Sequence, residues 1–249
     1  MRKRNIVIFL FFCYNFFVGD IMDMYEIKKN VDKIKRGGYT FFLLPNICKE
    51  VSYKLNKNDY QLYYPYPDSD KVIMYTDVIP KIKLYEIISY YPLTHSEIMG
   101  SLFGLNISGE VFGDIIVDND RYYFYVMDEI SDLIESDFSF VGNKPIKIKE
   151  IDIHTLDNYR KKYTEYELIV SSLRIDTVIS RIIGANRDKI KDKIRSKEIM
   201  INYNYLTNNS YVLHDGDIFS IRKFGKYKFV GIVKTTKKDN YIIKYLKYI

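Results

Sequence analysis

Tryptophan is absent, alanine occurs once (Ala185), and the only thiols are Cys13 and Cys48. Two cysteines cannot build a disulfide framework or a four-ligand structural zinc shell, so burial must hold the fold together and the chain reads as thiol-reduced and cytosolic. The three histidines, His95, His154 and His214, lie far apart with no Cys or His at ligand spacing. They read as satisfied structural side chains, and no metal or cofactor is expected. Gly104, Gly109 and Gly113 form neither a phosphate loop nor a dinucleotide fingerprint. Asp114 and Asp217 each follow a glycine at the start of a strand-like run, which is turn chemistry rather than acid-base chemistry. With no nucleophile and base in evidence, the chain is not expected to be an enzyme.

Long apolar runs are also missing. The longest, Ile6 to Val18, is interrupted by Asn15 and falls well short of the ~20 residues of a membrane-spanning helix. Arg2, Lys3 and Arg4 precede it as in a signal peptide, but Val18, Gly19 and Asp20 make a poor cleavage site. Met22 and Met24 follow at once, and the polar periodic sequence begins at Tyr25. Residues 1–23 are therefore read as a leader of doubtful status, either a mis-called start or a signal-like segment.

What is present is an ordinary globular balance, 47% apolar and 28% charged, over a length of 249 residues that suits two or three modules. The 25 tyrosines accompany abundant Ile, Lys and Asn, the bias of an AT-rich genome, so aromatic abundance alone says little. All six prolines precede residue 146, and the charge is divided just as sharply. Residues 171–249 carry 17 Lys or Arg against 7 Asp or Glu; the first 170 carry 21 against 25. A basic module joined to a mildly acidic one points to a polyanion partner, nucleic acid or an anionic membrane surface.

The segment 24–88 reads as a small α/β module, with a helical pattern from Tyr25 to Lys35 and strand-like runs Gln61 to Tyr64 and Lys71 to Tyr75 around the turn-rich YPYPDSD. In 89–165, Thr94 and Glu97 form a capping-box signature, Ile98, Leu102 and Leu105 fall at helical spacing, and Gly104 can end that helix in a left-handed conformation. Asp114 to Val117 and Tyr122 to Val126 flank a hairpin signal at 118–120, followed by the amphipathic MDEISDLIESDF. Helix, hairpin and helix suggest an open-faced α/β sandwich of the RRM or ferredoxin-like kind. Tyr122 with Phe124, or Tyr123 with Tyr125, could then stack RNA bases on the free face. Lys144 to Tyr166 reads as a charged, partly helical connector.

The strongest pattern lies in 170–249. Ile175, Val178, Ile179 and Ile182 recur at helical spacing, with Ser172 as a candidate cap and Gly184 as a stop. Asn186 then caps a second helix, in which Ile190 and Ile194 form the buried edge and Arg187, Lys191 and Arg195 a basic stripe at i, i+4 and i+8. Like charges at that spacing repel, and phosphate contact is the use that fits them. Strand-like runs follow at Ile199 to Asn202, Val212 to Leu213 and Ile218 to Ile221, with His214 to Asp217 as a turn. RKFGKYKF then interleaves Arg222, Lys223, Lys226 and Lys228 with Phe224, Tyr227 and Phe229, a pattern for phosphate neutralisation beside aromatic faces.

These residues resemble the S-four RNA-binding domain, named for ribosomal small-subunit protein four. The matching positions are Arg174, Ile175 and Asp176; Asn186 and Arg187; Ile194; Ile199, Ile201 and Asn202; and Gly216 and Asp217 before Ile221. The sequence departs from the pattern at Asn186, where serine is usual, and at Lys197 and Glu198, where glycine is usual. LTHSEIMGSLFGLNISGEVFGDIIVDNDRYYFYVMDEISDLIESDF, VSSLRIDTVIS and GDIFSIRKFGKYKFVGIVKTTKKDNYIIKY resemble the bacterial YlmH family from about Tyr25 to the end. Two basic positions of that family's middle domain appear here as Ser96 and the uncharged stretch 107–109.

The resemblance implies an α+β fold and a cytoplasmic RNA-binding protein that is monomeric when free. Its implied partners are rRNA of the large ribosomal subunit and tRNA, in rescue of stalled peptidyl-tRNA complexes, and some members are tied to cell division. The RNA-contact residues are expected to be Arg174, Arg181, Asn186, Arg187, Lys191, Arg195, Arg222, Lys223, Lys226 and Lys228. Two alternatives stay open at this level: a membrane-proximal adaptor whose basic module meets anionic lipid, and an RNA-modifying enzyme with an appended S-four domain.

Overall fold

A computed structural model describes residues 24–249, and the leader reading for 1–23 lies outside them. The chain divides between Tyr159 and Arg160 into two compact units. Both mix helices with antiparallel sheets, the α+β class read from the sequence.

Among the described residues the first unit opens with α1 over 24–35 and α2 at Pro45–Ser52. A two-stranded ribbon follows, β1 (Gln61–Tyr63) with β2 (Ile73–Tyr75). Cys48 sits in the small apolar cluster under α2, where burial raises its thiol to about 11; it is a packing residue rather than a nucleophile. Next come β3 (Ile82–Ile88), α3 (His95–Gly104), β4 (Phe112–Asp118), β5 (Arg121–Met127), α4 (Ser131–Asp137), the short ribbon β6 (Phe140–Val141) with β7 (Lys144–Pro145), and β8 (Lys147–Ile151). The four long strands form one antiparallel sheet in the order β4-β5-β3-β8. A β-α-β-β-α-β chain with that order has the ferredoxin-like connectivity.

Four local readings change. The segment 24–88 takes in residues 82–88, but these form β3 between β5 and β8, so the central sheet begins at Ile82. The supposed connector is mostly extended: β7, β8 and a 3-10 turn at Ile153–Leu156 occupy it. The capping box at α3 is present, with Thr94 Oγ1 accepting from Glu97 N at 3.3 Å and Glu97 Oε2 accepting from Thr94 N at 2.9 Å. Its left-handed residue is Asn106 (φ 60°), not Gly104, which is still inside the helix.

The fourth change concerns the sheet face. Alternation along β5 sends Tyr122 and Phe124 one way and Tyr123 and Tyr125 the other, yet all four are at most 6% exposed. On one face Phe124 meets Phe138 edge-on at 5.4 Å, and Tyr122 Oη accepts from Leu93 N at 3.0 Å. On the other, Tyr125 stacks on Tyr66 at 6.1 Å and donates to Pro65 O. The YPYPDSD loop is thus a lid on the sheet. Asp114 in β4 laces it down, accepting from Tyr66 Oη at 2.7 Å, Asp70 N at 2.6 Å and Lys71 N at 3.2 Å. Gly113 is required beside it, because a Cβ there would stand 2.9 Å from Tyr125 Cβ and 3.0 Å from the Phe42 ring. The sandwich is therefore not open-faced, and neither aromatic pair is available for base stacking.

The second unit opens with β9 (Tyr163–Val170), followed by α5 (Ile175–Ile183) and α6 (Arg187–Arg195). After them come β10 (Ile199–Ile201), β11 (Asn204–Tyr205), β12 (Ile218–Ile221), β13 (Gly225–Thr235) and β14 (Tyr241–Tyr248). Together they make a six-stranded antiparallel sheet, β11-β10-β12-β13-β14-β9. Because β9 pairs along β14 from Tyr163↔Tyr248 to Val170↔Tyr241, this module starts before residue 170, and 163–165 leave the central segment. Ile175, Val178 and Ile179 of α5 and Ile190 and Ile194 of α6 share one buried cluster with Ile199, Phe219, Ile221, Tyr227 and Phe229. Val212 and Leu213 do not form a ladder strand; Val212 makes an isolated bridge to Arg174, and Leu213 is buried.

Candidate nucleic-acid interface

The two helices of the second unit meet at a sharp corner. Gly184 ends α5 in the left-handed conformation (φ 65°), and Asn186 caps α6 by accepting from Lys189 N at 2.9 Å. Both features follow the sequence reading. Ser172 does not cap α5: the N-cap residue is Arg174, without a side-chain cap bond, and Ser172 Oγ donates instead to Thr177 Oγ1 at 3.2 Å.

The α6 stripe is ordered but only partly free. Arg187 Nη2 donates to Thr177 Oγ1 at 2.9 Å, Lys191 pairs with Asp188 at 3.0 Å, and Arg195 pairs with Asp192 at 3.3 Å. The two pairs are i, i+3 contacts on a wet surface, worth a few tenths of a kcal/mol each. A phosphate arriving there would displace them at little cost, so they temper the repulsion within the stripe without consuming it. Lys193 is drawn off to Glu198 at 2.6 Å, and the lysine, more than any other neighbour, holds that carboxyl below its usual range.

Arg174, one of the expected RNA contacts, makes an ion pair within its own unit. Its guanidinium grips Asp176 through Nη2 at 2.7 Å and Nε at 3.1 Å, and the Asp176 side chain is 1% exposed. Burial opposes ionisation of Asp176, but the Arg174 fork and the Thr177 backbone outweigh it and the carboxyl titrates below its ordinary value. Arg174 is thereby a partner for a buried charge first. Arg181 stands exposed on the last turn of α5.

RKFGKYKF divides by alternation. Arg222 and Lys223 occupy the exposed turn between β12 and β13, Lys223 at φ 71°. Along β13, Tyr227 and Phe229 are 3% and 1% exposed and face the core, where Tyr227 stacks on Phe219 at 5.3 Å. Lys226 and Lys228 face outward between them. Base stacking on Tyr227 or Phe229 is excluded by that burial, which leaves Phe224, 39% exposed with Lys193 Nζ 5.6 Å from its ring.

Lys226 acquires aromatic neighbours that its own segment does not supply. Its Nζ lies 4.8 Å from the Tyr203 ring and 5.5 Å from the Tyr248 ring. Tyr203 reaches it because Asn202 and Tyr203 both take positive φ (47° and 66°) in the two-residue turn joining β10 to β11. Asn202 also accepts from Ile218 N at 3.0 Å and donates to Asp217 at 2.8 Å; Asp217 accepts from Tyr211 Oη and His214 N. The S-four-like Asn and Gly-Asp positions thus work as a structural corner. At Lys197, where the pattern has glycine, φ is 53°, so a lysine bears the left-handed strain, with its Nζ 5.3 Å from the Tyr205 ring.

Among the described residues no group of three or more His, Cys, Asp or Glu could hold a metal ion, and no helix is long and apolar enough to cross a membrane. His154 and His214 sit at exposed turns beside Asp157 and Asp217, at 3.1 and 3.7 Å.

Comparison with known proteins bears out the resemblance to the YlmH family. Residues 81–155 match the family model described as "Putative RNA-binding domain in YlmH". The chain is similar to the ribosome-associated protein quality control protein P2 of Bacillus subtilis (strain 168), 24% identical over 156 residues. That match covers 63% of this chain and 61% of the relative, so the chain spans about three-fifths of the relative's length. Among solved structures it is similar to the cell division protein ylmH from Streptococcus pneumoniae, at 20% identity and a TM-score of 0.44, over 56% of this chain and 96% of that one.

Proposed function

We propose that this protein is an RNA-binding protein of the YlmH type that acts by holding structured RNA, without making or breaking bonds. The observation that carries the reading is the surplus of ten positive charges in residues 171–249, set on elements whose geometry is fixed by a buried core. Helix α6 offers Arg187, Lys191 and Arg195, and the β12–β13 turn with the outer row of β13 offers Arg222, Lys223, Lys226 and Lys228. Arg181 and the cap at Asn186 stand beside them. Phosphates are the groups such a surface takes, because neutralising them releases condensed counterions. The partners we propose are rRNA of the large ribosomal subunit and tRNA, and the task is rescue of stalled peptidyl-tRNA complexes in the cytoplasm. The similarity to a ribosome-associated quality control protein supports the partner, and the RNA-binding family match supports the class.

Co-sedimentation of the full chain with purified large subunits at increasing salt tests this. If about six side chains neutralise phosphates, log affinity falls against log salt with a slope of about −4 to −5. Replacing Arg187 and Lys191 together with alanine weakens binding while the melting transition of the unit stays in place. A flat salt response, or wild-type affinity in that double variant, overturns the assignment.

A further inference from the structure

The lid on the central sheet stops short of one corner of the first unit. Ile88 at the end of β3, Lys147 and Lys149 in β8 and Arg121 in β5 are all exposed there. Cross-strand register puts them on the lid side of the sheet. Leu84 pairs with Tyr125, Glu86 pairs with both Tyr123 and Lys149, and Ile88 pairs with Lys147; Arg121, two residues before Tyr123, shares that side. Glu86 therefore faces Lys149 and Asp118 faces Arg121, whereas Lys147 has Ile88 across the ladder.

From this corner the chain runs into the loop 89–93, which is held at both ends. Ser89 Oγ donates to Tyr91 O at 2.9 Å and accepts from Tyr91 N at 3.1 Å. Lys144 Nζ donates to Pro92 O at 2.8 Å, and Leu93 N donates to Tyr122 Oη at 3.0 Å. Between these anchors Tyr90 is 99% exposed, two residues beyond Ile88. A single exposed apolar side chain is ordinary on a protein surface. Here, however, the backbone on either side is fixed by hydrogen bonds while the ring itself is bare, so a flat ligand covers it without the ordering cost that a mobile loop imposes. A nucleobase is flat and apolar on its faces, and the phosphates beside it suit a lysine at the neighbouring strand end. The RNA-binding family match spans both Tyr90 and Lys147, which supports RNA over a protein as the ligand.

We infer that Tyr90 is a stacking platform for one unpaired base of the bound RNA, with Lys147 contacting a phosphate of the same strand. The inference rests on the RNA-binding reading and gives it a contact in the first unit that works through a ring rather than through charge. Base stacking, which burial denies to Tyr122, Tyr123, Phe124 and Tyr125, falls instead to a loop residue that no period in the sequence singles out.

The test separates the ring from the charge, using the full chain with purified large subunits and with protein-free rRNA extracted from them. Tyr90→Ala should bind both about tenfold more weakly than wild type, with its salt slope unchanged because the ring carries no charge. Its melting transition should stay in place, since the ring is not part of the core. Tyr90→Phe, which keeps the ring, should bind like wild type. Lys147→Ala should weaken binding to both and make the slope shallower by roughly 0.7, the share of one single-strand phosphate. If Tyr90→Ala binds like wild type while the Arg187 and Lys191 double variant does not, the platform falls and the RNA-binding reading stands. If Tyr90→Phe is as weak as Tyr90→Ala, the hydroxyl rather than the ring makes the contact and stacking is overturned. Weakening toward intact subunits alone would mean that the loop meets a ribosomal protein, which overturns the RNA assignment. If the wild-type chain binds neither subunits nor rRNA at low salt, both readings fall.

Discussion

The two antiparallel sheets use aromatic strands in opposite ways. In β5, Tyr122, Tyr123, Phe124 and Tyr125 place an aromatic ring at every position, so both faces need cover, and both have it. In β13, Lys226, Tyr227, Lys228 and Phe229 alternate, so one face joins the core and the other stays wet and cationic. Equal aromatic content therefore carries opposite meanings: a two-sided run is a core strand, and a lysine-interleaved run is a one-sided wall with a surface to offer. The base stacking considered for β5 is thereby lost, while the RNA contacts we propose on the charged face of the second unit do not depend on it.

The largest test of that contrast is Tyr125→Ala. It removes the ring that joins the lid to the sheet and should destabilise the first unit by about 3–5 kcal/mol, read by denaturant unfolding, while an intact second unit keeps its RNA affinity. Parallel loss of RNA affinity in folded protein would mean the sealed sheet contributes directly to binding. A second test uses Lys71, whose ammonium under the lid donates to Gly109 O and Phe112 O. Burial pushes it down to about 8, only partly offset by Asp114. Between that value and the unfolded ~10.4, the unfolded chain holds the extra proton, so stability rises with pH across the window, by at most about 3 kcal/mol. Unfolding free energies at pH 7.5 and 9.5 should show this rise in wild type and lack it in Lys71→Met.

The wet face is probed more gently. Lys226→Ala with Lys228→Ala should lower RNA affinity by roughly tenfold and make the salt slope shallower by about 2, since two phosphate contacts are removed and the aromatic inner row is untouched. An unchanged slope would restrict the contact surface to α6 and its corner. The smallest effect belongs to Lys197→Gly. Relieving a left-handed lysine should stabilise the second unit by about 0.5–1 kcal/mol, visible as a raised melting temperature, and no gain would show that the cation–π contact with Tyr205 offsets the strain.

Much of the local structure, at the site and elsewhere, was legible because its signals are short-range. Asn186 caps α6, Gly184 turns left-handed, and the capping box at Thr94 and Glu97 closes, each within a span of four residues. Burial of Tyr227 and Phe229 was also written in the alternation of RKFGKYKF. The lid on the central sheet was not legible in the same way. It depends on Asp114 meeting Tyr66, Asp70 and Lys71, more than 40 positions earlier, and no local pattern announces such a meeting.

By itself, then, the sequence determined the class of the fold, the caps and stops of the helices around the basic corner, and the gathering of positive charge toward its end, because each follows from composition, period or neighbouring residues. Only the tertiary structure decided which aromatic faces are covered and that Arg174 serves a buried aspartate. Those outcomes depend on which distant surfaces exclude water from one another, and that is a property of the folded chain.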